Sequence, residues 1–108
     1  MTVRELIENN SLTAVNLPEP DREICGCYIG DLLSWVMGRA NEDDCWITIM
    51  SNINTVAVAT LTGVACVVLA EGVALDSEAL VKAQENGINI ISSPVSAYDT
   101  AKMLGGAF

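Results

Sequence analysis

Val64-Ala65-Cys66-Val67-Val68-Leu69-Ala70 is an unbroken apolar run, rich in β-branched residues, with Gly63 before it and Glu71-Gly72 after it. A run of this length without polar alternation fits a strand buried on both faces, as in a parallel sheet covered by helices. Its neighbours extend the pattern. Upstream, Cys45-Trp46-Ile47-Thr48-Ile49-Met50 is a second buried strand, ended by Ser51-Asn52. Between the two, residues 54–62 are rich in Ala and Val and predict a short buried helix. Val56, Val58 and Thr60 also fit period two, which leaves a strand as the alternative. Downstream, Asp76 is placed to cap a helix over 77–86, with Ala79, Leu80 and Ala83 inward and Glu78 spaced to pair with Lys82. Gly87 stands where a helix usually turns left-handed, and Ile88–Ser92 is the next strand. Ser96 with Asp99 makes a capping box for a last helix through Leu104.

The N-terminal third is less regular. Thr2 and Glu5 form a capping box, and Val3, Leu6 and Ile7 give residues 2–9 an apolar stripe. A strand over 13–17 runs into Pro18 and Pro20, and residues 23–29 alternate as another strand. Gly30 ends that strand and Asp31 is placed to cap a helix over 32–40, with Leu33, Val36, Met37 and Ala40 on one face. Strands alternating with helices predict an α/β fold: one layered domain over 1–108, with a mainly parallel sheet flanked by helices.

Composition narrows the function. Of 108 residues, 51% are hydrophobic but only five are aromatic, so the core must be built from Val, Ile, Leu and Ala. Fourteen acidic residues against five basic ones give a net charge of −9, which repels phosphate backbones and anionic lipid. The cations Arg4, Arg22, Arg39, Lys82 and Lys102 are scattered, so neither nucleic acid nor membrane is an expected partner. Met1-Thr2-Val3-Arg4-Glu5 lacks a basic-then-apolar leader pattern, and the longest apolar stretch, within 56–70, is broken at Thr60, Thr62 and Gly63. A cytoplasmic location with reduced cysteines is expected.

Several segments together resemble the DRTGG domain family: Gly30-Asp31-Leu32-Leu33, Trp46-Ile47-Thr48, Val67 through Gly72, Ala83 through Ile90, and Ser96-Ala97-Tyr98-Asp99-Thr100-Ala101. The resemblance spans roughly residues 2–104. It implies a fold similar to the N-terminal domain of HPr kinase/phosphorylase. It also implies an accessory, regulatory role of the kind such domains hold beside CBS domain pairs and in some phosphotransacetylases. Short stand-alone members tend to be encoded near iron-only hydrogenase components. Two departures stand out. Ser51-Asn52-Ile53-Asn54 occupies the place of a common Gly-Asp-Arg, and Glu71-Gly72 that of paired glycines. Without that Arg a bidentate anion contact is missing. No phosphate-cradling Gly-Lys-Ser/Thr loop exists, so kinase activity is excluded.

The chain has no histidine, which removes the commonest general base and every Ser-His or Cys-His nucleophile pair. Asp43 with Asp44, and Glu71 with Asp76, could formally act as paired carboxylates, but carboxylates in turns are ordinarily just solvated. Hence no catalytic residue, resident metal or cofactor is expected. Cys25 and Cys27, two apart on a strand, share a face, and with Cys45 and Cys66 they number enough for an iron–sulfur cluster or structural zinc. Packing as small hydrophobes is favoured over that role, because Cys45 and Cys66 lie in apolar strands and no Cys-x-x-Cys spacing occurs.

Ligands of open α/β sheets settle beyond the carboxyl ends of the strands. The residues expected there are Asp31, Thr48, Ser51, Asn52, Asn54, Glu71, Gly72, Ser92 and Ser93, a set suited to a neutral or cationic polar ligand. The same residue types also serve as caps and turn formers. Trp35, Met37 and Trp46 could bury an interface, and Trp35 falls off the inward face of its helix. The expected function is a non-catalytic, ligand-sensing homodimer. The alternative is a cysteine-based iron–sulfur or redox accessory protein for iron-only hydrogenase.

Overall fold

The computed structural model describes residues 1–108. The apolar run forms β4 (Cys66–Leu69), every residue of it buried, at the centre of a five-stranded sheet. Beside it lie β3 (Asp44–Thr48), also buried throughout, and then the edge strand β2 (Gly26–Ile29). On the other side are β5 (Ile90–Ser92) and the second edge, β1 (Thr13–Asn16). The order β1-β5-β4-β3-β2 is parallel throughout except for β1, which pairs antiparallel with β5. The sheet is therefore mixed but mostly parallel, as the continuous apolar strands implied.

Strands β2, β3, β4 and β5 are laid down in one direction without reversal. Right-handed crossovers between them put all three connecting helices on the same face. These are α2 (Leu33–Arg39), α3 (Ile53–Thr62) and α4 (Ser77–Asn86). Val36, Val56, Val58, Ala59, Ala79 and Ala83 pack there on Trp46, Val67, Leu69 and Ile90. The opposite face takes α1 (Val3–Asn10) and α5 (Ala97–Lys102), with Val3, Leu6 and Leu104 meeting Cys45, Ile47, Cys66, Val68 and Ile91. No helix is long and apolar enough to cross a membrane.

Residues 53–62 are helical, not a strand. Asn52 accepts from the N–H groups of Asn54 (2.9 Å) and Thr55 (3.4 Å), and Gly63 closes the helix left-handed at φ 75°. The Thr2/Glu5 capping box forms reciprocally, at 3.1 and 2.9 Å. Ser96 accepts from Asp99 N–H at 3.1 Å.

Several local expectations fail. Asp31 does not cap α2: Leu32 holds that position with no side-chain cap, because the Asp31 carboxylate turns to β3 instead. Asp76 stands at the start of α4, but its side chain makes no cap bond. Lys82 reaches Glu85 at 3.4 Å and not Glu78, a choice between two surface carboxylates that costs little either way. Met37 is 44% exposed, because α2 is only two turns long and touches the sheet mainly through Val36. Trp46 is fully buried and donates its indole N–H to Gly30 O at 2.9 Å, so it belongs to the core and not to an interface. Each strand is also shorter than its apolar run. The run continues past the ladder because residues such as Val64, Ala65 and Ala70 stay buried in the turns.

Candidate functional site

Because β2, β3, β4 and β5 are parallel, the residues after them share one rim of the sheet. Crossing it from β2, one meets Asp31, then Thr48 through Asn52, then Glu71 and Gly72, then Ser92 and Ser93. Asn54 lies in the exposed first turn of α3.

The centre of this rim is a connected polar cluster. Thr48, at the end of β3 and nearly fully buried, donates its hydroxyl to Asp31 Oδ1 at 2.8 Å. The same oxygen accepts from Ile49 N–H at 3.0 Å, and Thr48 Oγ1 accepts from Met50 N–H at 3.2 Å. Asp31 thus ties the end of β2 to the end of β3. Further along, Ser51 Oγ donates to Asp76 Oδ1 at 3.4 Å, and Asp76 N–H donates to Ser51 O at 3.0 Å. Asp76, expected as a helix cap and absent from the nine rim residues, therefore joins the rim. Its position just before a helix that follows a rim turn was the available signal.

Glu71 and Gly72 form a turn of two successive left-handed residues, at φ 60° and 68°. Their N–H groups donate to Val95 O and Ser93 O. A pair of glycines fits that geometry without strain, whereas Glu71 carries a Cβ into it. Ser93 is buried and spends its hydroxyl on Thr100 at 2.8 Å, so it supports α5 and does not face a ligand. Asn52 is occupied as the α3 cap. The side chains of Asn54 and Glu71 are exposed and make no intramolecular hydrogen bond.

The rim is anionic. Asp31, Glu71 and Asp76 form no ion pair; the N-terminus, Arg4, Arg22, Lys82 and Lys102 pair with Glu19, Asp21, Glu23, Asp43, Glu85 and Asp99 instead, and Arg39 stacks on Trp35. Arg22 is anchored at the opposite end of the strands, donating to Asp43 Oδ1 at 3.0 Å and to Gly63 O at 2.6 Å. The rim is also open. A crevice at strand ends arises where the strand order reverses and helices part to either face. No reversal occurs between β2 and β5. The two surface depressions are lined by Pro18 through Arg22 and by Ile53, Glu78, Val81, Lys82 and Glu85, and none of the nine expected residues lines either.

The cysteines are not gathered as metal ligands. Cys25 and Cys27 are exposed, Cys45 and Cys66 are buried, and no group of three or more His, Cys, Asp or Glu residues is arranged to hold a metal ion. The iron–sulfur alternative thus has no ligand set. What the sequence did not disclose is a row: Cys27, Cys45 and Cys66 are in register across β2, β3 and β4. The Cys27 thiol is pushed up by its hydrogen bond with Cys45 and by burial. Cys45, drawn down by its bond to Cys27, is nonetheless raised by Cys66 and by full burial.

The family profile of the DRTGG domain matches residues 27–107, from the edge strand β2 through α5. The chain belongs to the DRTGG domain family. The match takes in the whole rim and leaves α1 and β1 outside it. A solved structure with the same fold is the CBS and DRTGG regulatory region of a Clostridium perfringens pyrophosphatase, crystallised with its activator diadenosine tetraphosphate. Its TM-score is 0.74 at 15% identity, over 95% of this chain and 45% of that one. This DRTGG chain thus spans less than half of the structure it resembles. No curated protein sequence matches it.

Proposed function

We propose that this DRTGG domain is a non-catalytic, cytoplasmic regulatory module that senses a small neutral or cationic polar ligand at the strand rim and acts as a homodimer. The observation that carries this is the rim itself. Hydroxyls, amides and carboxylates are brought to one edge by four parallel strands, with no histidine among them and no cation paired with them. Asp31, Thr48, Ser51, Asn54, Glu71, Gly72 and Ser92 are the contacts proposed, with Asn52 and Ser93 behind them. Family membership supports regulation, and the related pyrophosphatase region binds a nucleotide activator. In this chain three free carboxylates on the rim disfavour a polyphosphate.

The open rim needs a second wall, and the position of α2 supports a second copy of the chain as its source. α2 begins two residues after Asp31 and exposes Leu32, Trp35 (54%) and Met37, with Arg39 stacked 3.9 Å from the Trp35 ring centroid. A copy docked on that helix stands directly beside the Asp31–Thr48 cluster.

Two measurements test these parts separately. Sedimentation equilibrium should show a dimer that Trp35→Asp converts to monomer; a monomeric wild type refutes the assembly. A thermal-shift panel of amino acids, polyamines, nucleosides and diadenosine tetraphosphate should give a rise with a neutral or cationic compound that Asn54→Ala and Glu71→Gln weaken. A ligand present at 100 times its Kd raises stability by about 2.7 kcal/mol. A rise with the tetraphosphate alone refutes the ligand class.

A further inference from the structure

We propose that Cys27 and Cys45 are a dithiol that oxidises to an intramolecular disulfide, binding the edge strand β2 covalently to β3. The two residues are register partners on adjacent parallel strands, with side chains on the same face. Adjacent strands lie about 4.8 Å apart, inside the Cα separation that a disulfide spans.

The surroundings single out this pair. α1 and α5 cover the cysteine face over β3, β4 and β5, but β2 extends beyond them, leaving Cys27 and Ile29 exposed. Cys27 is therefore open to a soluble oxidant, while Cys45, buried just behind it, is reached only through Cys27. Cys45 and Cys66 are also in register, but neither has access to solvent. Cys25 is exposed but lies opposite Asp43, to whose carbonyl its N–H donates at 2.9 Å, and it has no thiol beside it.

The oxidant is a low-molecular-weight disulfide. Cys27 loses its proton and attacks one sulfur, forming a mixed disulfide and expelling one thiolate. Cys45 then loses its proton and attacks Cys27 Sγ, which expels the second thiolate. The protein gives up two protons and two electrons, and the oxidant leaves as two thiols. The product ties down a strand otherwise bonded on one side only, the strand that delivers Asp31 to the rim.

The test is prolonged incubation of the folded chain with oxidised glutathione in alkaline buffer, because both thiols are held protonated by burial and by their neighbours, followed by thiol counting and peptide mapping. Free thiols should fall from four to two in wild type and from three to one in Cys25→Ser and in Cys66→Ala, with a Cys27–Cys45 peptide in all three. Cys27→Ser should keep its remaining thiols free of any intramolecular link. Amide exchange across residues 26–29 should slow in the oxidised form. A link between any other two cysteines overturns the proposal. So does a glutathione adduct on Cys27 that never resolves, or four persisting thiols when the urea-unfolded chain reacts.

Discussion

Replacing Asp31 by Ala removes the acceptor of two hydrogen bonds, from Thr48 Oγ1 at 2.8 Å and Ile49 N–H at 3.0 Å. The two losses are unequal. Ile49 is exposed, so water can take the place of the carboxylate there. Thr48 is 2% exposed, and its hydroxyl is held in place by Met50 N–H, so its own proton is left without a partner. A hydrogen bond to a charged group contributes about 1.5–3 kcal/mol. Counting only the Thr48 bond, Asp31→Ala should destabilise the domain by about 2 kcal/mol, which lowers Tm by roughly 10 °C for a chain of this size. Asp31→Asn keeps an oxygen acceptor and should lose less than half as much. The assay is urea unfolding followed by the fluorescence of buried Trp46, run as a cycle with Thr48→Val and the double variant. The coupling energy should be about 1–2 kcal/mol. Additive single effects, with Asn fully replacing Asp, would instead mean that Asp31 is an ordinary helix cap, and the rim cluster would lose its centre.

Glu71→Gly should stabilise the chain by roughly 0.5–1 kcal/mol, because it relieves a Cβ at φ 60° and loses part of that gain to unfolded-state entropy; a lower Tm refutes the strain. Trp46→Phe removes the bond to Gly30 O and leaves a void, so it should destabilise by about 1–3 kcal/mol, whereas Trp35→Phe should cost under about 0.5 kcal/mol. Equal urea midpoints for the two variants would contradict that contrast. Glu5 should titrate below its ordinary value of 4.5, chiefly through the Thr2 backbone N–H and then the Thr2 hydroxyl. Since its folded pKa is lowered, Glu5 contributes stability above the ordinary carboxylate range and loses it as pH falls through the lowered value. NMR titration should show the midpoint moving back up in Thr2→Ala.

The rim and the cysteine row were legible to different degrees. Apolar continuity at 45–50 and 64–70 marks strands buried on both faces, and the capping signals at Thr2 and Ser96 mark helix starts, because each depends on residues a few positions apart. Asp31 misled for the opposite reason. A carboxylate just before a helix has two uses, and the second depends on Thr48, seventeen positions away. Ser93 looked available to a ligand until its contact with Thr100 appeared.

Local order along the chain was thus sufficient for the α/β class and for four parallel strand ends carrying polar residues, since period and capping are short-range properties; the family was legible only through the resemblance of particular segments. The tertiary structure alone decided the strand order β1-β5-β4-β3-β2, which puts three helices on one face and leaves the rim without a crevice. It alone set three cysteines side by side. Register is fixed by how two faces bury together, and that matching of distant segments is not encoded in any one stretch of sequence.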